Sequence, residues 1–421
     1  MGKWLVGLGL AAWLAGTAAR AAGVAGAAPA ERREGGMEPA RLPMVVVSYD
    51  DSGDFGPQTP GTRTSGWQEA IAYCVAHHQD LYAKGGWGGR EAVYHLADTI
   101  RIPPTQDFRI TGGVYVLNWE GPGDRDLLAI DSGMDCHYQF GILVYGGTGA
   151  ALRIRPEGPV PIDGFAVFTD SEVEVSSIAD PHPFQPGERQ GGAGVVFDTA
   201  RAAITHCDFR FTAVLNFGTC LQAPEGGSGF SLNRLECGHL HTNADRSTLL
   251  ALGRQCTRNR VSVRIGVDQG ARGVRGVVVG GADNVLEVAT RGGFPPGNDL
   301  ILAEPARGNQ VNLVTDSEDQ DPLRLVSDRA RVATNQLAWT GGPAPVHRVE
   351  AKAGAFTYTQ RLFPATVRVA CGKRDQVDLR RGKDRVPCGP GPCIVTLSVG
   401  DRLEIQSVGG ARLTVIPLKS R

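Results

Sequence analysis

The sequence predicts an all-β solenoid, a coil of stacked strands, and three observations carry that expectation. A short segment recurs as Asn233-Arg-Leu-Glu-Cys237, Asn259-Arg-Val-Ser-Val263, Asn284-Val-Leu-Glu-Val288, Asn309-Gln-Val-Asn-Leu313 and Asn335-Gln-Leu-Ala-Trp339, its Asn positions differing by 26, 25, 25 and 26 residues. A fixed period in this range marks stacked supersecondary units. Each segment reads Asn, any residue, apolar, any residue, apolar, and such alternation describes a half-buried strand. A second apolar run precedes most segments, as in Thr248-Leu-Leu-Ala-Leu252, Val277-Val-Val279, Leu300-Ile-Leu302 and Leu323-Arg-Leu-Val326, with no helical periodicity between. Strands that bury inward side chains against the coils above and below satisfy this pattern. Cys207-Asp-Phe-Arg-Phe211 fits the register with Cys in the Asn position. Asn tolerates left-handed backbone and bonds neighbouring backbone, so the Asn column is expected to form a turn repeated at one corner of each coil.

The 421 residues suffice for one long solenoid or two to three compact domains. A net charge of −1 gives no footprint for nucleic acid or an anionic membrane. Gly, at 57 residues, suits many tight turns. Residues 1–27 read as a secretory signal peptide, with Lys3 ahead of an apolar core and small-x-small cleavage candidates at Ala19-Arg-Ala21 and Ala25-Gly-Ala27. That core is short for a membrane span, and no later run reaches its length. The mature chain is therefore expected outside the cytoplasm, extracellular or periplasmic, where disulfides are permitted. Of nine cysteines, Cys74, Cys207 and Cys237 fall at apolar-pattern positions, and Cys371 with Cys388 or Cys393 is the expected disulfide.

Residues 28–43 read as a linker. Met44-Val-Val-Val-Ser-Tyr49 predicts a strand, followed by a turn-rich loop at 50–57. Ser65 is placed to cap a helix over about 66–78 whose Trp67, Ile71, Cys74 and Val75 share a face. Closely spaced strands follow at Val93–Leu96, Thr99–Ile102, Phe108–Ile110 and Val114–Leu117. Asp54-Phe-Gly56, the helix with Gln68-Glu-Ala-Ile71, and Ile100-Arg-Ile-Pro-Pro104 with Ile110-Thr-Gly-Gly-Val-Tyr115 together resemble the opening of the pectate lyase-like superfamily. The resemblance covers about Val45 to Tyr115 and is one of fold. It implies a right-handed parallel β-helix whose N-terminal helix covers the open first coil. It fixes no activity, since that superfamily spans lyases, hydrolases, transferases and inert adhesins.

Further strands are expected across residues 121–344, interrupted by a Pro-rich insertion, Pro181 to Gln190, that must loop outward. Residues 345–421 lose the Asn period and read as a small antiparallel β unit placed to close the solenoid. The full expectation is thus a right-handed parallel β-helix with an N-terminal capping helix and a small C-terminal antiparallel β unit.

If the apolar positions point inward, the intervening ones form an outward stripe. Its early coils carry Asp208, Arg210, Arg234, Glu236 and Arg260, and later coils carry Glu287 and Asn312. Acids, guanidinium forks and amides in one stripe suit an elongated, partly acidic polymer. Asp208 and Glu236, on neighbouring coils, are the candidate pair of carboxylates for hydrolysing a glycosidic bond. A lyase needs a base beside a uronate instead. No Lys lies between Lys84 and Lys352, which leaves Arg260, Arg264 or His239. Strict alternation sends His239 and His241 inward unless Gly238 breaks the strand. Asp131 to Tyr138 is a polar cluster read first as a turn. No metal site or cofactor is called for, although Asp316-Ser-Glu-Asp-Gln-Asp321 offers oxygens of the kind calcium takes. The expected function is a secreted carbohydrate-active protein that cleaves a polysaccharide as hydrolase or lyase. A non-catalytic polysaccharide-binding or surface-structural β-helix is the alternative, and fold does not choose between them.

Overall fold

The coil that begins at Asn233 shows how the chain is built. Arg234–Thr242 forms one strand, Thr248–Leu252 a second and Cys256–Thr257 a third, after which Asn259 opens the next coil. Repetition stacks these strands in register into three parallel sheets, with thirteen, nine and six strands among the described residues. The computed structural model describes residues 44–86, 91–161, 164–181, 191–268, 271–291, 293–315, 324–332, 334–340 and 346–418. The expected signal peptide and linker, most of the Pro-rich insertion and the acidic run 316–321 lie outside them. The chain is a parallel β-solenoid closed by an antiparallel unit. The two-residue strands of the third sheet left no mark in the sequence, because alternation needs more residues than two to register.

The interior follows the alternation. Leu235, Cys237, Val261, Val263, Leu286, Val288, Val311 and Leu313 are buried at the two apolar positions of successive coils. The N-terminal coils fill the same space with rings. Tyr138 stacks on Phe168 at 6.4 Å between centroids, Phe168 on Phe209 at 6.3 Å, and Phe209 on Phe230 at 5.9 Å. Such pairs add about 0.5–1.5 kcal/mol each beyond burial.

The Asn column bonds neighbouring backbone at a repeated corner as expected, but the left-handed turn is not its own. Asn233, Asn259, Asn284, Asn309 and Asn335 are buried and form a ladder. Each Oδ1 accepts the backbone N–H of the column residue one coil earlier, from Cys207 to Asn309, at 3.0–3.1 Å. Each Nδ2 donates to a backbone carbonyl of that earlier coil at 2.9–3.0 Å: Ile204, Phe230, Cys256, Gly281 and Ala306 in turn. The left-handed residue is the one before: Leu232 (φ 61°), Arg258 (57°), Asp283 (58°) and Gly308 (67°). The amide thus satisfies the backbone of a buried corner, where an unpaired group is costly. The column continues upstream as Cys136 and Ser171, preceded by left-handed Asp135 and Asp170. Those coils are 35 and 36 residues long, so the repeat search did not reach them.

At the N-terminal end the helix Trp67–His77 packs on the first strands. Trp67 projects into the interior, 5.5 Å from Tyr115 and 5.7 Å from Tyr94. The expected cap at Ser65 is corrected. Ser65 donates to His95 O instead, and Thr64 Oγ1 accepts Gln68 N–H at 3.0 Å. At the other end two four-stranded antiparallel sheets span His347–Pro417. Their strands at 365–370, 376–381, 393–397, 402–407 and 411–417 contain the alternating runs Val367-Arg-Val369, Val377-Asp-Leu379, Ile394-Val-Thr-Leu397, Leu403-Glu-Ile405 and Leu413-Thr-Val-Ile416, which predict short strands from the sequence. His347–Ala351, Gly354–Thr359 and Asp384–Pro390 were missed because their exposed polar faces break the alternation. Phe363 stands edge-on to Trp339 of the last coil at 5.9 Å, so this unit covers the open interior.

Candidate functional site

Alternation turns two residues per coil outward from the thirteen-stranded sheet. One row runs His137, Glu172, Asp208, Arg234, Arg260, Val285, Gln310, Gln336, each paired in register with the next. The second runs Gln139, Glu174, Arg210, Glu236, Ser262, Glu287, Asn312, Ala338. Neighbours within a row sit about 4.8 Å apart, the strand spacing. The stripe deduced from sequence therefore exists and extends further toward the N-terminus, through His137, Glu172 and Glu174. Those three were missed because their coils depart from the 25–26-residue period.

The early part of the stripe is a chain of ion pairs. His137 Nδ1 lies 2.9 Å from Glu172 Oε2. Arg210 pairs with Glu172, with Glu174 Oε1 at 2.8 Å and with Asp208 Oδ2 at 2.8 Å. Arg234 Nε lies 3.9 Å from Asp208 Oδ1 and donates to Glu236 Oε1 at 2.8 Å. In register, Asp208 faces Arg234 and Arg210 faces Glu236. The two carboxylates named for hydrolysis therefore stand diagonally, with Arg234 touching both. Each carboxylate therefore already accepts from a guanidinium, Asp208 from Arg210 and Glu236 from Arg234, an arrangement that holds both as fixed hydrogen-bond acceptors. Arg260 and Glu287 are exposed, and Arg260 makes no ion pair with the described residues. Asn312 Oδ1 is 3.5 Å from Thr340 Oγ1.

The C-terminal half of each early strand bends. After Phe140, Val175, Phe211 and Cys237 the next residue stacked in register on the interior comes three positions on, at Leu143, Ile178, Val214 and Leu240. From Arg260–Val267 onward it comes two positions on, and the register shifts between Cys237 and Leu240. Gly238 thus breaks the alternation, and His239 and His241 are half-buried on the outer side instead of inside. Their rings stack at 5.3 Å, and His241 Nε2 is 3.2 Å from Asp268 Oδ1. Gly266 lies under them: a Cβ there would stand 3.3 Å from His241 Cδ2. Burial pushes His239 down to about 4, and His241, Arg291 and Arg264 add to the effect. Its imidazole is therefore neutral near pH 7, with Arg264 close by.

Other sequence candidates resolve as structure. Asp131 Oδ1 accepts the N–H groups of Ser132, Glu157 and Gly158 at 2.6–3.0 Å, so its cluster is a turn. Tyr138 is buried and Cys136 belongs to the ladder column. All nine cysteines are thiols, including the expected partners Cys371, Cys388 and Cys393, which border the core of the C-terminal unit. Burial pushes Cys393 up to about 11. No group of three or more His, Cys, Asp or Glu among the described residues is arranged to hold a metal ion, and no helix among them is long and apolar enough to cross a membrane.

No protein-family model matches this chain and no curated protein matches it significantly. Among solved structures, a Dettilon tailspike protein is 10% identical, with 88% of this chain and 94% of that one covered at a TM-score of 0.23. A double mutant of the tailspike protein of E. coli bacteriophage HK620, in complex with a pentasaccharide, is 8% identical, with 89% and 93% covered at a TM-score of 0.23. At such scores the likeness says nothing of function.

Proposed function

We propose that this chain is a carbohydrate-binding β-solenoid that holds an elongated polysaccharide along the outward face of its thirteen-stranded sheet. The observation that carries this reading is the pair of outward rows, in which acids, guanidinium groups and amides repeat at the coil spacing over at least eight strands. Sugars are bound by such acceptors and donors held rigidly, and Asp208 and Glu236 present carboxylates already held by Arg210 and Arg234, with Glu287 exposed further along. Arg234, Arg260 and Arg264 suit acidic sugars. Export through the N-terminal segment would bring the protein to such a polymer. Binding with a panel of neutral and acidic polysaccharides by affinity electrophoresis tests the proposal. Glu236→Gln and Arg260→Ala are expected to weaken retention, Arg260→Ala more with acidic polymers. Equal retention of both variants and the parent on every polymer overturns it.

Cleavage by elimination is a second reading, favoured by one observation: His239 is a neutral imidazole beside Arg264. An imidazole free of its proton near pH 7 can accept the proton alpha to a uronate carboxylate, although a value near 4 makes it a weak base. Ultraviolet absorbance from unsaturated products, lost in His239→Ala, is its signature. Release of saturated reducing ends would point to Asp208 and Glu236 as a hydrolytic pair instead.

A further inference from the structure

A second face of the solenoid carries a site that neither reading uses. A hollow of about 500 Å³ is lined by residues including Thr148, Arg153, Asp198, Gln222 and Glu225. An adjoining hollow of about 410 Å³ is lined by residues including Asp245, Arg246, Thr248 and Arg275. Gly192 and Thr219 line both, so the two form one trough. It crosses the starts of five stacked strands of the nine-stranded sheet, whose residues Ala150, Ala193, Thr219, Thr248 and Arg275 pair in succession. At the strand spacing it therefore extends roughly 19 Å along the solenoid axis. Glycines keep it open. Gly149, Gly191, Gly192 and Gly218 all lie on its wall. Gly192 sits at φ 76°, where a Cβ would come 2.4 Å from Gly147 O, so no larger residue fits.

The two ends differ in charge. At one end Arg153 is held by Asp126, Nε to Oδ2 at 2.7 Å and Nη2 to Oδ1 at 3.1 Å, and lies 3.8 Å from Asp198. Exposed Gln222 and Glu225 stand beside it. At the other end Arg246 and Arg275 are both exposed and lie on adjacent coils, since Thr248 pairs with Arg275. Neither makes an ion pair with the described residues, in contrast to Arg153, Arg210 and Arg234. Asp245, the nearest acid in sequence, spends Oδ1 on the backbone N–H of Arg272 at 2.6 Å. Two guanidinium groups on adjacent coils, against the single carboxylate of Asp245 that a backbone N–H already engages, leave this end of the trough with a net positive charge and a fork for an anion.

We infer that this trough binds a glycan bearing anionic groups, with Arg246 and Arg275 taking the anion and Thr148, Gln222 and Glu225 taking sugar hydroxyls. The inference is independent of the thirteen-stranded sheet. The shared ligand chemistry is a carboxylate or sulfate on an extended sugar chain. Calorimetric titration of the full chain with a galacturonate oligosaccharide, a sulfated oligosaccharide and a neutral malto-oligosaccharide tests it. One anionic probe or both should bind at least roughly tenfold more tightly than the neutral one, and which binds identifies the anion. Arg246→Asn with Arg275→Ala should remove that preference, Asn being chosen because residue 246 sits at φ 57°. Arg275→Ala alone, at an exposed strand start, should remove part of it and serves if the double variant misfolds. Arg412→Ala, on the C-terminal unit, should change nothing. Equal binding of charged and neutral probes, no binding of any probe, or a preference lost in Arg260→Ala but kept in Arg275→Ala would overturn the inference.

Discussion

Asn284 Oδ1 accepts two hydrogen bonds from Asn259, from its backbone N–H at 3.0 Å and from its Nδ2 at 2.9 Å. One side-chain oxygen therefore ties a buried backbone to a buried side chain in the preceding coil. Asn284→Ala should leave the Asn259 N–H unpaired in the interior and take from Cys256 O one of its two donors, the Ala282 N–H remaining, at a cost of about 1–3 kcal/mol. Gln310→Asp, outward on the next coil, should stay within about 0.5 kcal/mol. Denaturant melts of the two variants check the difference; similar midpoints would mean that the ladder contributes no stability.

Asp299 gives stability a pH dependence. It is fully buried, accepts Thr290 Oγ1–H at 2.6 Å through Oδ1, and has no partner for Oδ2 among the described residues. Burial raises its carboxyl from 3.8 to about 6. A raised folded-state value means the contribution is fully present below about pH 4 and is lost as the pH rises through 6. Asp299→Asn should remove this loss, so the variant should gain on the parent with rising pH by up to about 3 kcal/mol. Melting temperatures on either side of this window read the effect, and parallel curves would count against it.

Arg210 pairs with Glu172, Glu174 and Asp208 together. Its side chain is 40% exposed, so solvent screens the network. Arg210→Met should cost only about 1 kcal/mol at low ionic strength and less in high salt. A salt-independent loss would indicate packing as the cause.

Phe363 covers Trp339 at the end of the coil. Phe363→Ala should destabilise by about 3 kcal/mol and let iodide quench Trp339, since both rings leave a well-packed contact. Unchanged quenching would show that other residues seal this end.

The His239 imidazole should show no titration by NMR between about pH 5 and pH 8, because burial holds it at about 4. A midpoint near the ordinary value would mean that water reaches the ring.

The fold was legible where one period persists. Leu235, Val261, Leu286 and Val311 point inward as the alternation requires, and Trp67 plugs the first coil as the helix face suggested. The site was legible in part. Asp208, Arg234 and Arg260 share one row because register preserves phase, yet nothing in the sequence said that Arg234 would bridge Asp208 and Glu236. Side-chain pairing is settled by rotamers across coils, and a one-dimensional pattern carries none of that. The Asn column was found for its spacing and its bonding to backbone, but was also assigned the left-handed corner, since both roles favour the same residue. Leu232 and Arg258, at the left-handed position, carry no turn signature.

The ladder also sets what can change over generations. Coils of 25, 26, 35 and 36 residues all return to the same corner, so a coil is defined by the column residue that closes it, Ser171 or an Asn, and not by residue count. Duplicating or deleting the span from one column Asn to the residue before the next would leave every inter-coil bond with a partner. The length of the molecule, and with it the length of its outward rows, is then a freely evolvable trait.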